Sequence, residues 1–170
     1  THAQYASATE TEGFMLMQGF SNSTTNRVDI GGGNSQHNAA EEIRFFTAAN
    51  ATTATGTQAM HIDNSGNVGI GTATPGNYHT DADNLVLYGS GNSGMTIASG
   101  TTNTGNIWFA DGTGGVAEYQ SRIQYNHNGN TLMFAIGDTE IMRFLSSGNV
   151  GIGTTSPLSK LDVFEELTVT

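Results

Sequence analysis

Apolar residues along this chain come in short alternating runs, with almost no helical stripe. Arg27-Val-Asp-Ile30, Met95-Thr-Ile-Ala98, Ser121-Arg-Ile-Gln-Tyr125 and Glu140-Ile-Met-Arg-Phe144 alternate apolar with polar positions, the period of a half-buried strand. Turn-forming residues follow most of these runs: Gly31-Gly-Gly33, Asp111-Gly112, Asn128-Gly129 and Ser147-Gly148. Asp-Gly and Asn-Gly supply the positive φ that tight hairpin turns require. Asn126-His-Asn-Gly-Asn130, set between Arg122–Tyr125 and Leu132–Phe134, predicts a hairpin. One stretch supports two readings. Over Asn38–Ala49, Ala39, Ala40, Ile43 and Phe46 fall at helical spacing, while Ile43–Thr47 reads equally well as a strand. The predicted fold class is all-β.

A repeat organises these runs. The segment from Met60 to Pro75 (MHIDNSGNVGIGTATP) recurs from Met142 to Pro157 (MRFLSSGNVGIGTTSP), with ten of 16 positions identical at an offset of 82 residues. Ile43-Arg-Phe-Phe46 precedes the first copy and Leu132-Met-Phe-Ala-Ile136 the second; Phe14-Met-Leu-Met17 and Leu85-Val-Leu-Tyr88 lie further upstream. The organisation this predicts is a lead-in segment over 1–12, two homologous β-rich units over 13–80 and 81–158, and a following segment starting at 159–170. Within each copy the apolar Val68 and Ile70, or Val150 and Ile152, alternate with glycine, so one face is aliphatic and the other bare. Glycine weakens a strand unless another backbone approaches closely. That pattern predicts neighbouring chains wound tightly round a shared axis, with these four aliphatic residues packing there. Pro75 and Pro157 would stop the strands.

Composition excludes several classes. Gly, Asn, Ser and Thr number 76 of the 170 residues, against 33 Leu, Ile, Val and Phe, and charged residues make up only 12%. The chain is polar without being ionic, which suits strands joined by turns better than a disordered tail. Fifteen Asp and Glu against five Lys and Arg give a formal net charge of −10, so four scattered arginines and one lysine argue against nucleic-acid binding. Cysteine is absent, which removes disulfides, thiolate metal sites and cysteine nucleophiles. No apolar run reaches the roughly 18 residues of a spanning helix, so no membrane insertion is expected. The first residue is Thr1, so a processed chain or a piece of a longer one is expected.

The run from Ser147 to Pro157, followed by Lys160-Leu-Asp-Val163, resembles a motif of bacteriophage tail fibres and tailspikes that often lies upstream of an endosialidase-type intramolecular chaperone domain. Asn106-Ile-Trp-Phe-Ala-Asp-Gly112, Arg122-Ile-Gln-Tyr125, Leu132-Met-Phe134 and Met142-Arg-Phe144 are similar to the segment leading into it. The resemblance implies an elongated, intertwined homotrimer with knob-like units and short shaft segments, displayed outside the cell on a virion. Its implied partners are other tail or baseplate proteins and a host-surface glycan or outer-membrane protein. The chaperone's Ser-Asp pair and Arg-Leu-Lys run are missing here, so no protease activity carries over.

Candidate chemistry is sparse. Gly69-Ile-Gly71 and Gly151-Ile-Gly153 lack the remaining glycine and the Gly-Lys-Ser/Thr ending of phosphate loops. Asp63-Asn-Ser-Gly-Asn67 offers oxygen ligands at alternate positions, but Thr74 stands where a calcium loop needs Glu, and the second copy replaces Asp63 with Leu145. His2, His37, His61, His79 and His127 are isolated, so neither a metal nor a cofactor is expected. Glu41/Glu42, Asp111/Glu118 and Asp138/Glu140 are the carboxylate pairs available to a glycosidase; adjacent Glu41 and Glu42 would point to opposite faces of a strand, and Asp111 and Asp138 sit beside glycine as turn residues do. The expectation is therefore a non-enzymatic protein. Trp108, the only tryptophan, is the best candidate for sugar stacking, with Tyr119, Tyr125 and His127 near enough in sequence to share its surface. Its competing role is filling the core of the second unit. Three functions remain: a receptor-binding fibre segment, a spacer or head decoration fibre without a receptor site, and a glycan-cleaving tailspike fragment.

Overall fold

The computed structural model describes residues 16–32 and 38–164. The predicted lead-in over 1–12, His2, His37 and the last six residues, 165–170, lie outside them. The described residues form strands in three sheets with two short 3-10 turns, and no barrel closes among them. The chain divides into two compact units, 1–95 and 96–170.

The first unit opens with a hairpin of β1 (Met17–Ser21) and β2 (Asn26–Ile30). Its turn is set by Asn22, whose side-chain oxygen accepts the backbone N–H groups of Thr24 and Thr25 at 2.9 and 2.7 Å. A four-stranded sheet follows, in the order β3 (Ile43–Thr47), β4 (Thr57–Ile62), β5 (Val68–Ile70) and β6 (Leu85–Leu87). The first two pairings are antiparallel and the last is parallel. Of the two readings for Asn38–Ala49, the strand is the one formed.

The second unit is one six-stranded sheet, running from edge to edge as β12 (Leu161–Val163), β11 (Val150–Ile152), β10 (Thr139–Phe144), β9 (Thr131–Ile136), β8 (Ser121–Asn126) and β7 (Thr104–Phe109). Its last four strands repeat the first unit's sheet: β9, β10, β11 and β12 pair as β3, β4, β5 and β6 do, down to the parallel final step. The chain therefore breaks near Met95, later than the repeat in the sequence indicates. Leu85–Leu87, placed at the head of the predicted second unit, completes the first unit's sheet by pairing Val68↔Leu85 and Ile70↔Leu87. Leu161–Val163 does the same for the second. Without that parallel partner, the three-residue strands β5 and β11 would each be left with an open edge.

Register explains where the small core sits. In the second unit Ile107, Ile123, Phe134, Met142, Ile152 and Val163 oppose one another strand by strand, making one apolar row across the sheet. Tyr125, Leu132, Phe144, Val150 and Leu161 form a second row beside it. The first unit has the matching pair of rows: Ile43, Ile62, Val68, Leu85 and Phe45, Met60, Ile70, Leu87. Yet the buried side chains are on the other face. In the first unit His61, Pro75 and Val86 are buried there, and in the second Ala135 and Thr131.

That face is closed by the chain's own turn, which corrects the expected reason for the glycines. A Cβ on Gly69 would stand 2.6 Å from Thr72 O, and one on Gly151 2.5 Å from Thr154 O, with the following proline Cδ at 3.4 Å in both copies. The close neighbour that the bare face accommodates is therefore the turn after the same strand. Pro75 and Pro157, both buried, press that turn down on the sheet. One carbonyl of the turn is also held from the sheet in each copy. Ala73 O lies 2.7 Å from His61 Nδ1, and Thr155 O accepts Arg143 Nη1 at 2.9 Å.

Gly71 and Gly153, next along, adopt φ of +79° and +71°. At Gly71 an added Cβ would come 2.1 Å from Tyr88 O, whereas at Gly153 the nearest atom, Phe164 O, is 3.3 Å away. Gly153→Ala should cost about 1–2 kcal/mol, the left-handed backbone penalty alone. Gly71→Ala should cost at least about 1–3 kcal/mol more, because the β5–β6 ladder must open to admit the methyl group. Thermal or denaturant unfolding of the two variants checks both the order and the gap.

Candidate functional site

Two surfaces of the second unit carry the candidate residues, on opposite faces of one sheet. On the face away from the apolar rows, Trp108 on β7 sits directly across from Arg122 on β8. The Arg122 guanidinium lies 5.1 Å from the centre of the indole ring, a cation–π contact. The loop between these strands ends in a 3-10 turn, Gly115–Tyr119, and folds back so that Asp111 and Gly112 both donate backbone N–H to Ala117 O. This brings Tyr119 edge-on to Trp108, with ring centres 6.3 Å apart. Arg122 is anchored from below by Nη1 donating to Gly137 O at 3.0 Å. Trp108 remains 46% exposed, so it does not fill a core.

Tyr125 and His127 are elsewhere. Tyr125 lies an odd number of positions from Arg122 on β8, so it joins the apolar row with Leu132. Its ring meets His127 edge-on at 4.9 Å, and its hydroxyl donates to Asn130 Oδ1 at 3.2 Å, at the hairpin end of the sheet. The four residues expected to share a surface therefore split into Trp108 with Tyr119 and Tyr125 with His127. The third member of the Trp108 cluster, Arg122, is not singled out by sequence. Only the cross-strand register places it beside the indole.

The second surface is the apolar face itself. Val150 and Ile152 lie in its two rows, as Val68 and Ile70 do in the first unit. Nine of its side chains in the second unit are substantially exposed: Ile107, Phe109, Tyr125, Phe134, Ile136, Ile141, Phe144, Leu161 and Val163. An open concavity of about 320 Å³ lies on it, lined by Phe109, Ile123, Phe134, Ile136 and Ile141 among others. In the first unit Phe45, Ile70 and Leu85 stand exposed in the same way. Monomeric proteins rarely leave so much contiguous apolar surface in water.

Several of the remaining candidates have structural partners. Asp63 closes the β4–β5 turn, accepting backbone N–H from Ser65 and Asn67, both at 2.9 Å. Asn67 in turn donates to the buried Asp83 at 3.2 Å. Glu140 grips Arg143 through both carboxylate oxygens, and Glu42 pairs with Arg44. Among the described residues no cluster of three or more His, Asp or Glu is placed to hold a metal ion. No protein-family model and no curated protein sequence matches the chain.

Desolvation pushes the Asp63 carboxyl up, but the backbone N–H groups of Asn67 and Ser65, the Asn67 side chain and nearby His61 together hold it below its ordinary range. A depressed carboxyl contributes stability above its unfolded value and loses it as pH falls through the folded one. Protection of the Gly66 amide, which donates to Asp63 O in this turn, should therefore be full at neutral pH and fall in acid below about pH 4. The equivalent Gly148 turn has Leu145 in place of Asp63 and should show no such loss. Amide hydrogen exchange on the two glycines checks this, and Asp63→Asn should remove the difference.

Proposed function

We propose that the chain is a segment of a bacteriophage tail fibre, carried on the virion outside the cell, that assembles as an intertwined homotrimer and contributes to attachment at the bacterial surface. The observation that carries the reading is the uncovered apolar face, which recurs in both units. Burying a large apolar side chain contributes about 1.5–3 kcal/mol, so covering even half of nine such residues is worth on the order of 10 kcal/mol per chain. That is enough to offset the roughly 4–15 kcal/mol that association costs. A second and third copy of the same chain supply matching faces with no other partner needed. The resemblance of the Ser147–Pro157 run to tail-fibre motifs favours three copies over two.

With the apolar faces turned inward, the face bearing Trp108, Tyr119 and Arg122 points outward. An exposed indole beside a tyrosine and a guanidinium suits a sugar ring: the aromatic face stacks, and the arginine donates to hydroxyl or carboxyl oxygens. Three chains carry a formal charge of three times −10, so approach to an anionic envelope gains little from long-range attraction. Short-range stacking and hydrogen bonding would carry recognition, and several weak sites on one fibre would raise avidity. An outer-membrane protein could offer the same chemistry.

Light scattering after size exclusion should give about three times 17.8 kDa. Phe134→Glu, which puts a charge in the middle of the longest apolar row, should lower that mass; a wild-type chain stable at 17.8 kDa would rule the assembly out. For attachment, truncating an aromatic hot spot costs roughly 2 kcal/mol, or about 30-fold in affinity. Trp108→Ala and Tyr119→Ala, with assembly intact, should each weaken binding of the fragment to host cells by that order. Wild-type protein that binds no host cell or envelope polysaccharide would favour a spacer.

A further inference from the structure

The two repeats hold the same turn carbonyl with different chemistry. Ala73 O can only accept, so the His61 Nδ1 that lies 2.7 Å from it carries the hydrogen. A neutral ring then leaves Nε2 as a bare acceptor. Nε2 is buried, has no hydrogen-bond partner, and lies 3.5 Å from Glu42 Oε2, another acceptor. His61 is only 4% exposed, so water does not relieve that opposition. Protonation converts it to an N–H directed at a carboxylate. In the second repeat the arrangement is permanent: Arg143 donates Nη1 to Thr155 O, and Nε and Nη2 to Glu140 at 2.5 and 2.6 Å. An arginine does not lose its charge.

The other groups around His61 are few. From β3, Arg44 stands opposite it in register and shares the Glu42 carboxylate, opposing a second positive charge. Along β4, Asp63 is two residues away and favours the charge, though its carboxylate is already engaged in its own turn. Before β6, Asp83 bonds Asn67. Gly69 on β5 and the Thr72–Pro75 turn bring no charged side chain.

We propose that His61 makes the turn of the first repeat a protonation-dependent latch, closed when the imidazolium bridges Ala73 O and Glu42 and loosened when the ring is neutral, while the Arg143 clip keeps the second repeat indifferent. The latch does not depend on what the chain attaches to.

The test compares two amides within the 170-residue chain: Gly71 N–H, which donates to Ala59 O, and Gly153 N–H, which donates to Ile141 O. Hydrogen exchange is followed from about pH 5 to pH 8 and corrected for the intrinsic rate at each pH. Loss of one charge-assisted bond should lower Gly71 protection roughly tenfold relative to Gly153 as pH rises. His61→Arg should flatten the Gly71 profile, and Glu42→Gln should remove most of its slope. A fixed ratio of the two protections across the range in the unmodified chain would overturn the proposal. So would an undiminished slope in either variant. The first of these readings needs no variant, so a substitution that fails to fold cannot leave the question open.

Discussion

In the two larger sheets most of the aliphatic and aromatic residues that pair across the strands lie on one side, and among the described residues that side stays largely exposed. The register makes this unavoidable. Once Ile123 pairs with Phe134 and Met142 with Ile152, side-chain alternation forces the whole row to one face, and a slip of one residue would bury Arg122 and Arg143 instead. An amphipathic sheet normally resolves this with a helix or a second sheet. Here the two 3-10 turns are too short to act as a cover. The described core is correspondingly thin: Val86 and Ala135 are its buried aliphatic members. A core this thin leaves most of the apolar rows exposed on the single chain.

The repeated segment is best understood as a turn docked on a strand. Gly69 and Gly151 leave room for the turn backbone, Gly71 and Gly153 reverse the chain, and the proline packs the result against the sheet. The glycines, the asparagine and the proline common to both copies each have a place in that device. Asn67 and Asn149 tie the turn before the strand to the chain beyond it, the first through Asp83 and the second through Pro157 O. The positions that differ are those where side-chain chemistry can vary without moving the backbone. Histidine or arginine can reach the same carbonyl, and aspartate or leucine can sit at the head of the same turn.

Much of the secondary structure was legible because the signals are local. The alternation in Ser121–Tyr125, the Asn-Gly turn after it and the Ile43–Thr47 run each encode a strand or hairpin within a few residues. The module boundary was not legible, because it depends on a parallel pairing between Val68 and Leu85 across a connection that carries no periodic pattern. The glycine alternation was read correctly as a site of close approach and assigned to a different neighbour. Sequence shows that a Cβ is missing but not which atoms use the space. The candidate glycan residues failed to converge for a similar reason. Trp108, Tyr119, Tyr125 and His127 fall within 20 consecutive positions, yet the parity of β8 sends Tyr125 through the sheet while Arg122 stays with the indole.

The two units differ in their hairpins: β1 and β2 form a sheet of their own in the first, whereas β8 and β7 extend the four-stranded part in the second. Strands β9–β12 reproduce β3–β6; the second unit's sheet then continues through β8 and β7. This hairpin extends the apolar row by Ile123 and Ile107, enlarging the exposed apolar face. On its reverse side it presents Trp108 and Arg122. The same two strands thus carry both further apolar residues and the aromatic cluster, and alternation puts the two on opposite faces. On the proposed trimeric reading, burial of the apolar residues of β7 and β8 would leave Trp108 and Arg122 facing outward.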